Sequence, residues 1–277
     1  MASGRGRLLA QLGFFLVQNP FLHHFFSGRI YQGRLKHLCT PGLHCHSCPA
    51  AAFSCPMGAA QSFFAGVRYS VSLYVTGFLL AVGITFGRFI CGYVCPMGLV
   101  QDLLYRTKTR KFILRLRWLR YVKYGVLAVF VIVLPLAIRH EISGMGALWF
   151  CAYICPSGTL FGALPLMAAN TGLRGLVGGQ FFIKLGFAVG VVVLSVFILR
   201  VFCRVLCPLG AIYSLFNRVA IFRMACDKEK CTDCARCADA CHLKIEPMKT
   251  PNHAECFRCG KCVQACNENA LNRLHIK

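Results

Sequence analysis

Nineteen cysteines in 277 residues constrain this chain more than any other feature, because eight of them form two copies of one string. The first copy, CTDCARCADAC, covers 231–241, and the second, CFRCGKCVQAC, covers 256–266. Each has the spacing C-x2-C-x2-C-x3-C, in which three thiolates wrap one cluster and the fourth cysteine crosses to the other. The spacing therefore predicts two [4Fe–4S] clusters. Structural zinc would instead require pairs of C-x2-C.

The crossed pattern assigns four ligands to each of these clusters. One cluster is expected to take Cys231, Cys234, Cys237 and Cys266. The other is expected to take Cys256, Cys259, Cys262 and Cys241. The tail resembles bacterial two-cluster ferredoxins, although His242 and Asn267 stand where proline usually follows the fourth cysteine. That resemblance implies an α+β ferredoxin domain, which we place at 223–277.

The rest of the chain repeats a shorter string, Cys-Pro-x-Gly, at 55–58, 95–98, 155–158 and 207–210. Three copies have a second cysteine four residues earlier, at Cys91, Cys151 and Cys203. Proline directly after cysteine suits the first position of a helix, and a helix N-terminus favours the thiolate. An apolar segment separates two Cys pairs in each half of this region. We interpret the pattern as an internal duplication about an axis along the membrane normal.

Composition and charge predict a membrane domain over 1–222. The chain is 57% hydrophobic and only 14% charged, with a net charge of +22. Four apolar segments are candidate spans: 8–26, 70–90, 122–138 and 181–201. The first contains polar residues, and a cleaved signal peptide is its alternative, although a cleavage site is missing. We expect an all-α bundle of four transmembrane helices in two pseudo-symmetric halves.

The distribution of charged residues predicts the orientation and the domain boundary. The loop 106–123 holds eight Lys or Arg and no acid, so the positive-inside rule makes it cytoplasmic. The N-terminus and the tail are then cytoplasmic as well. Seven of the nine acidic residues fall in the last 52 residues, which marks a different kind of domain there. Because the basic residues flank apolar segments, the positive charge indicates topology and not nucleic-acid binding.

Two further clusters are predicted in the membrane domain. A span of about 30 Å separates Cys55 from Cys95, so cysteines on the same side of the two halves are expected to meet. The outer cluster would take Cys48, Cys55, Cys151 and Cys155, and the inner cluster Cys91, Cys95, Cys203 and Cys207.

Several alternatives to these membrane clusters stay open at this point. Ligand sets within one half would require 56–69 or 156–168 to be re-entrant. Disulfides could pair the outer cysteines, and the inner ones could be buried packing residues. Cys45 could replace Cys48, while Cys39 and Cys226 have no assigned role.

The segments GRFICGYVCPMGLVQDLL (87–104) and RVFCRVLCPLGAIYSLF (200–216), followed by the ferredoxin tail, resemble NapH-type membrane ferredoxins. These are similar in turn to the C-terminal part of NosR-type proteins. The resemblance covers most of 70–277 and implies a four-span inner-membrane protein. Such proteins pass electrons between a quinone pool, or a soluble donor, and redox partners. The outer elements CHSCPAAAFSCPMG and CAYICPSG add to the simplest NapH pattern and favour a longer chain of clusters.

The leading functional hypothesis is a transmembrane electron conduit whose partners are other redox subunits or soluble carriers, with no catalytic side chain. Arg88 and Arg204 are candidates for raising the potential of the inner cluster. The alternative is a quinone-reactive membrane subunit, with His23, His24, His140 and Glu141 as candidate proton acceptors. A sensory or assembly protein is a third class, but the sequence adds no effector domain. Whether the chain is an enzyme is left open.

Overall fold

The computed structural model describes residues 4–66, 73–113, 118–138 and 146–276, which are mostly helical. A first series of helices comprises α1 (Gly4–Gln18), α2 (His24–Ser27), α3 (Pro56–Ala65), α4 (Leu73–Phe86), α5 (Phe89–Tyr93) and α6 (Pro96–Leu104). A second series comprises α7 (Leu119–Ala137), α8 (Phe150–Ile154), α9 (Gly158–Ala169), α10 (Gly179–Phe197), α11 (Val201–Val205) and α12 (Pro208–Phe216). The tail adds β1 (Phe222–Cys226), α13 (Arg236–Asp239), α14 (Lys261–Gln264) and β2 (Leu271–Ile276).

The two series have the same order of long and short helices, in keeping with the expected duplication. Helix α1 packs against α5 and α6, and α7 packs against α11 and α12 in the same way. The halves also exchange contacts reciprocally, since α4 packs against α12 and α10 packs against α6. These contacts bring the short helices that follow Arg88 and Arg200 together at the centre of the bundle.

Two helices of the described residues are long and apolar enough to cross a membrane, namely α7 and α10. Each has 19 residues and rises about 28 Å. Only 22% and 17% of their apolar windows are buried, so most of their surface is free to contact lipid. Two of the four expected spans are therefore found among the described residues. Helices α1 and α4 are shorter, with 15 and 14 residues, so that α4 rises about 21 Å. The residues directly before α4, 67–72, lie outside the described part of the chain.

The tail is built on a two-stranded antiparallel sheet in which Phe222 pairs with Ile276 and Cys226 with Leu271. The predicted boundary between 222 and 223 falls inside β1. The guanidinium of Arg258 donates to the carbonyl oxygens of Phe86, Phe222 and Asn217. The hydrogen bonds to Phe86 and Asn217 hold the tail against the ends of α4 and α12.

Candidate iron–sulfur site

The Cys-Pro-x-Gly string forms the same local structure at each of its four positions. Cysteine is extended and precedes a helix that starts at the proline, as at Cys55, Cys95 and Cys207. The glycine N–H then hydrogen-bonds to the cysteine sulfur in all four copies, through Gly58, Gly98, Gly158 and Gly210. Such backbone donors stabilise a thiolate.

The glycine of the string is required sterically in the inner pair. A Cβ atom at Gly98 would lie 2.8 Å from the Cys91 carbonyl oxygen, and one at Gly210 would lie 2.7 Å from that of Cys203. Both contacts are shorter than real Cβ atoms show. The combination Cys-x3-Cys-Pro-x-Gly therefore lets one cysteine pack directly over the helix start that carries the other.

The inner cysteines form a complete quartet at the centre of the bundle. Each thiol lies within electrostatic range of the other three: Cys91, Cys95, Cys203 and Cys207. All four are buried, and they belong to the main hydrophobic core. The structure thus brings together the four residues that the sequence assigns to the inner cluster.

The outer quartet differs from the predicted set in one member. Cys45, Cys55, Cys151 and Cys155 are mutual neighbours and line one cavity of about 600 Å³. Cys48 is fully buried outside this cavity, in a small core with Ala50 and Ala51 and with its sulfur 3.6 Å from Asn19 Oδ1. The turn at 45–48, closed by the Cys48 N–H to the Cys45 carbonyl, points only the earlier cysteine at the other half.

The tail holds two more quartets with the crossed membership that the spacing predicts. One cavity, of about 270 Å³, is lined by Cys231, Cys234, Cys237 and Cys266. A second is lined by Cys241, Cys256, Cys259 and Cys262. Cys226 lies beside three thiols of the first group without lining their cavity.

These groups fit cubane clusters better than single metal ions. Among the residues that the structure describes, no three His, Cys, Asp or Glu side chains converge as a single ion requires. The thiolates of a [4Fe–4S] cluster bind four different iron atoms, so they lie farther apart than the ligands of one zinc ion. Four neighbouring thiols match the wider arrangement, and in the tail and at the outer quartet they line a cavity.

The inner and outer quartets lie closer together than the sequence led us to expect. The loop before Cys45 folds into the bundle, so the Leu43 carbonyl oxygen lies 3.9 Å from the Cys95 sulfur. Cys45 follows two residues later, at most about 7 Å along the chain. The His44 N–H hydrogen-bonds to the Cys55 sulfur. The expected separation by a full span is therefore wrong, because this loop does not remain at the outer surface.

A buried tyrosine lies between the outer and the inner quartet. Tyr213 is fully buried and lies within electrostatic range of Cys55 and of three inner cysteines. Its hydroxyl donates to the Pro41 carbonyl at 2.8 Å.

The inner quartet also adjoins the tail. A Cβ atom at Gly92 would lie 2.5 Å from the Phe257 carbonyl oxygen, next to Cys256. Arg204 interacts with Cys241 and follows Cys203 directly in the chain. The quartet of Cys241 is therefore the proximal one, and the quartet of Cys231 is distal, with Cys234 exposed.

Two arginines brace the inner quartet reciprocally. Arg88 Nη2 donates to the Cys203 carbonyl at 2.9 Å, and Arg200 Nη1 donates to the Cys91 carbonyl at 2.5 Å. Each arginine lies three residues before the first cysteine of the inner pair in its own half, and it contacts the corresponding cysteine of the other half. The sequence hypothesis singled out Arg88 and Arg204 and missed Arg200. Aligning the two halves at their cysteines would have revealed it.

Each of these arginines is paired with a buried carboxylate. Arg88 pairs with Glu255 at 2.6 Å, and Lys123 pairs with the same carboxylate. Burial raises the pKa of the Glu255 carboxyl, but attraction to both cations outweighs this and lowers it to about 2. Arg200 Nε donates to Asp102 at 2.8 Å, and Arg7 pairs with the same group. The inner quartet is thus flanked by two buried networks, each of which joins two cations to one carboxylate and has a net charge of +1.

Of the candidate quinone residues, the structure describes His23 and His24. His23 and His24 are adjacent in α2 and the preceding turn, where their rings contact each other and Phe21. Neither lines the outer cavity. His140 and Glu141 lie outside the described residues.

Comparison with known proteins identifies the membrane motifs as an iron–sulfur element. Residues 67–120, 142–169 and 181–225 match a family model described as a 4Fe–4S binding domain. These segments include the whole inner quartet and, of the outer one, Cys151 and Cys155.

Several curated proteins are similar to this chain. An uncharacterized protein of Methanocaldococcus jannaschii is 28% identical over 232 residues, which cover 79% of this chain and 85% of that protein. Ferredoxin-type protein NapH of Haemophilus influenzae is 24% identical over 66% of this chain and 61% of its own length. Regulatory protein NosR of Stutzerimonas stutzeri is 28% identical over 68% of this chain and 24% of its own length. No solved structure matches.

The resemblance inferred from the paired motifs is confirmed by these relatives. The matched 4Fe–4S domain and the ferredoxin-type names of the relatives support electron transfer through iron–sulfur clusters. Two apolar helices, together with the membrane resemblance, indicate a membrane protein. This chain therefore carries a match to a 4Fe–4S binding domain and is similar to ferredoxin-type proteins such as NapH and to NosR.

Proposed function

We propose that the chain conducts electrons across the membrane between the distal end of its tail and an outer redox partner. The observation that carries this proposal is the row of four cysteine quartets, each adjoining the next. When bound, a [4Fe–4S] cluster supplies one-electron redox chemistry. The protein's own part is to supply thiolates, to exclude water and to place neighbouring quartets close together.

The geometry of the thiols supports the following ligand sets. In the tail we assign Cys231, Cys234, Cys237 and Cys266 to the distal cluster, and Cys241, Cys256, Cys259 and Cys262 to the proximal one. We assign Cys91, Cys95, Cys203 and Cys207 to the inner cluster. The outer cluster takes Cys45 with Cys55, Cys151 and Cys155, in place of the Cys48 expected from the sequence.

The orientation proposed from the loops is compatible with this row. Four spans would place the N-terminus and the tail in the cytoplasm, with the basic segment after α6 on the same side. Within that segment, Lys108, Arg110 and Lys111 are exposed, where anionic headgroups would contact them. The exposed Cys234 then makes the distal quartet the natural point of exchange with a cytoplasmic subunit or carrier.

The assignment of the outer quartet can be tested with two neighbouring cysteines. The purified full chain should contain about sixteen iron and sixteen sulfide, four of each per cluster. Cys45→Ser should lower both to about twelve, because it removes a thiol from the outer cavity. Cys48→Ser is the matched control and should keep about sixteen, with at most a loss of stability. Equal contents in the two variants would contradict the assignment, and about eight in the unmodified chain would leave only the tail clusters.

A further inference from the structure

The first half of the chain carries a glutamine six residues after the Cys-Pro cysteine at both quartets. The strings are CPMGAAQ at 55–61 and CPMGLVQ at 95–101, whereas the second half has Phe161 and Tyr213 at these positions. Gln61 and Gln101 are fully buried. A buried carboxamide is satisfied only if both its oxygen and its nitrogen find partners. The identity of those partners therefore decides what each glutamine does.

The partners of Gln101 fix its orientation. The Phe202 N–H donates to Oε1 at 3.1 Å, and Nε2 donates to the Met97 carbonyl at 3.2 Å. A backbone N–H can only donate and a carbonyl can only accept, so the amide cannot be flipped. Nε2 also lies 3.0 Å from the Cys203 sulfur, to which it donates.

Gln61 occupies the equivalent position at the outer quartet, but its carboxamide hydrogen-bonds to backbone groups. Its Oε1 accepts from the Cys151 N–H at 3.3 Å, and its Nε2 donates to the Phe130 carbonyl at 3.0 Å. Each glutamine thus braces the first cysteine of a Cys-x3-Cys pair in the opposite half, Cys151 for Gln61 and Cys203 for Gln101. Only Gln101 directs a side-chain N–H at a thiol.

We propose that Gln101 is a positioning residue that sets the reduction potential of the inner cluster. This inference rests on the proposed function, in which Cys203 is a ligand. A hydrogen bond to a ligating sulfur favours the more negative, reduced state and so raises the potential. Arg88 and Arg200 donate to carbonyl oxygens and are paired with carboxylates. Gln101 is therefore the side chain whose removal acts most directly on the sulfur.

The test is a redox titration of the full chain, followed by electron paramagnetic resonance. Gln101→Leu removes the donor, and we expect the inner signal to shift to lower potential. A tenfold fall in the reduced-to-oxidised ratio at fixed potential corresponds to 59 mV for a one-electron couple. Gln61→Leu is the matched control, and it should leave the inner signal in place and shift the outer one by less than this.

A second variant keeps the test decisive if leucine perturbs packing. Gln101→Glu retains an acceptor for the Phe202 N–H, removes the donor and should lower the inner potential at least as far at pH 8. An unchanged or raised potential in either cluster-loaded variant would overturn the proposal. If neither variant keeps the inner cluster, Gln101 serves assembly and the proposal is wrong.

Cys203→Ser identifies the inner signal and tests the underlying assignment separately. We expect that variant to lose or alter one signal and to leave the others unchanged. If all signals persist unaltered, the proposed ligand set fails, whatever the effect of Gln101.

Discussion

The contact between Glu255 and two cations should hold the ferredoxin tail against the membrane domain. The carboxylate pairs with Arg88 and Lys123, and these three side chains are only 7%, 2% and 0% exposed. Glu255→Gln keeps the shape of the side chain but removes its charge, which leaves two cations buried without a counter-charge. Breaking a buried ion pair in this way costs about 3–5 kcal/mol.

That cost can be read as faster hydrogen exchange at the docking surface. Amides in 253–262 become free to exchange when the tail opens from the ends of α4 and α12. Since each 1.4 kcal/mol is a factor of ten, 3–5 kcal/mol corresponds to an increase of roughly 10²- to 4 × 10³-fold. Exchange of the purified full chain in lipid discs, followed by mass spectrometry, measures this increase.

The same domain offers a matched control. Glu246 pairs with Lys249 on the surface, where the two side chains are 52% and 72% exposed. Glu246→Gln should change exchange by no more than a few-fold, because exposed ion pairs contribute about 0.2–1 kcal/mol. If Glu255→Gln exchanges no faster than Glu246→Gln in 253–262, the buried network does not hold the tail and our reasoning is refuted.

Two further substitutions test the closest contacts along the row of quartets. Gly92→Ala should loosen tail docking in the same exchange assay, because its Cβ atom would lie 2.5 Å from the Phe257 carbonyl oxygen; Gly125→Ala, with open space around it, should not. Tyr213→Phe should destabilise the chain by about 0.5–1.5 kcal/mol in a denaturation series, because it removes the hydrogen bond to the partly buried Pro41 carbonyl. A neutral effect of Tyr213→Phe would mean that this carbonyl finds another partner.

Sequence spacing predicted the parts of the site that depend on local geometry. In the tail, the triplets and the crossed fourth cysteines converge into the two groups that the spacing indicates. The Cys-Pro-x-Gly strings start helices at proline, as their composition suggests. The pairing of the two halves at Cys91 and Cys203 was also predictable, because the same motif recurs at equivalent places.

The sequence was less informative about features that depend on packing between distant segments. It favoured Cys48 over Cys45, because both lie in one short string and their spacing does not say which faces the other half. It missed Arg200 and Gln101, whose partners are about a hundred residues away. It also placed the outer and inner quartets a full span apart, since an apolar segment between two motifs gives no sign that a polar loop folds back.

The sequence by itself determined the kind of chemistry: fifteen of the nineteen cysteines in repeated ligand spacings, in an apolar chain with a basic loop, indicate iron–sulfur electron transfer at a membrane. Such information is local, because ligand spacing and helix starts depend on neighbouring residues. The tertiary structure alone decided which thiols meet, how closely the quartets adjoin and which side chains neutralise or contact them. These depend on how α4, α6, α10 and α12 pack across the two halves, and the buried charges and carboxamides tolerate only the arrangement in which each finds its partner.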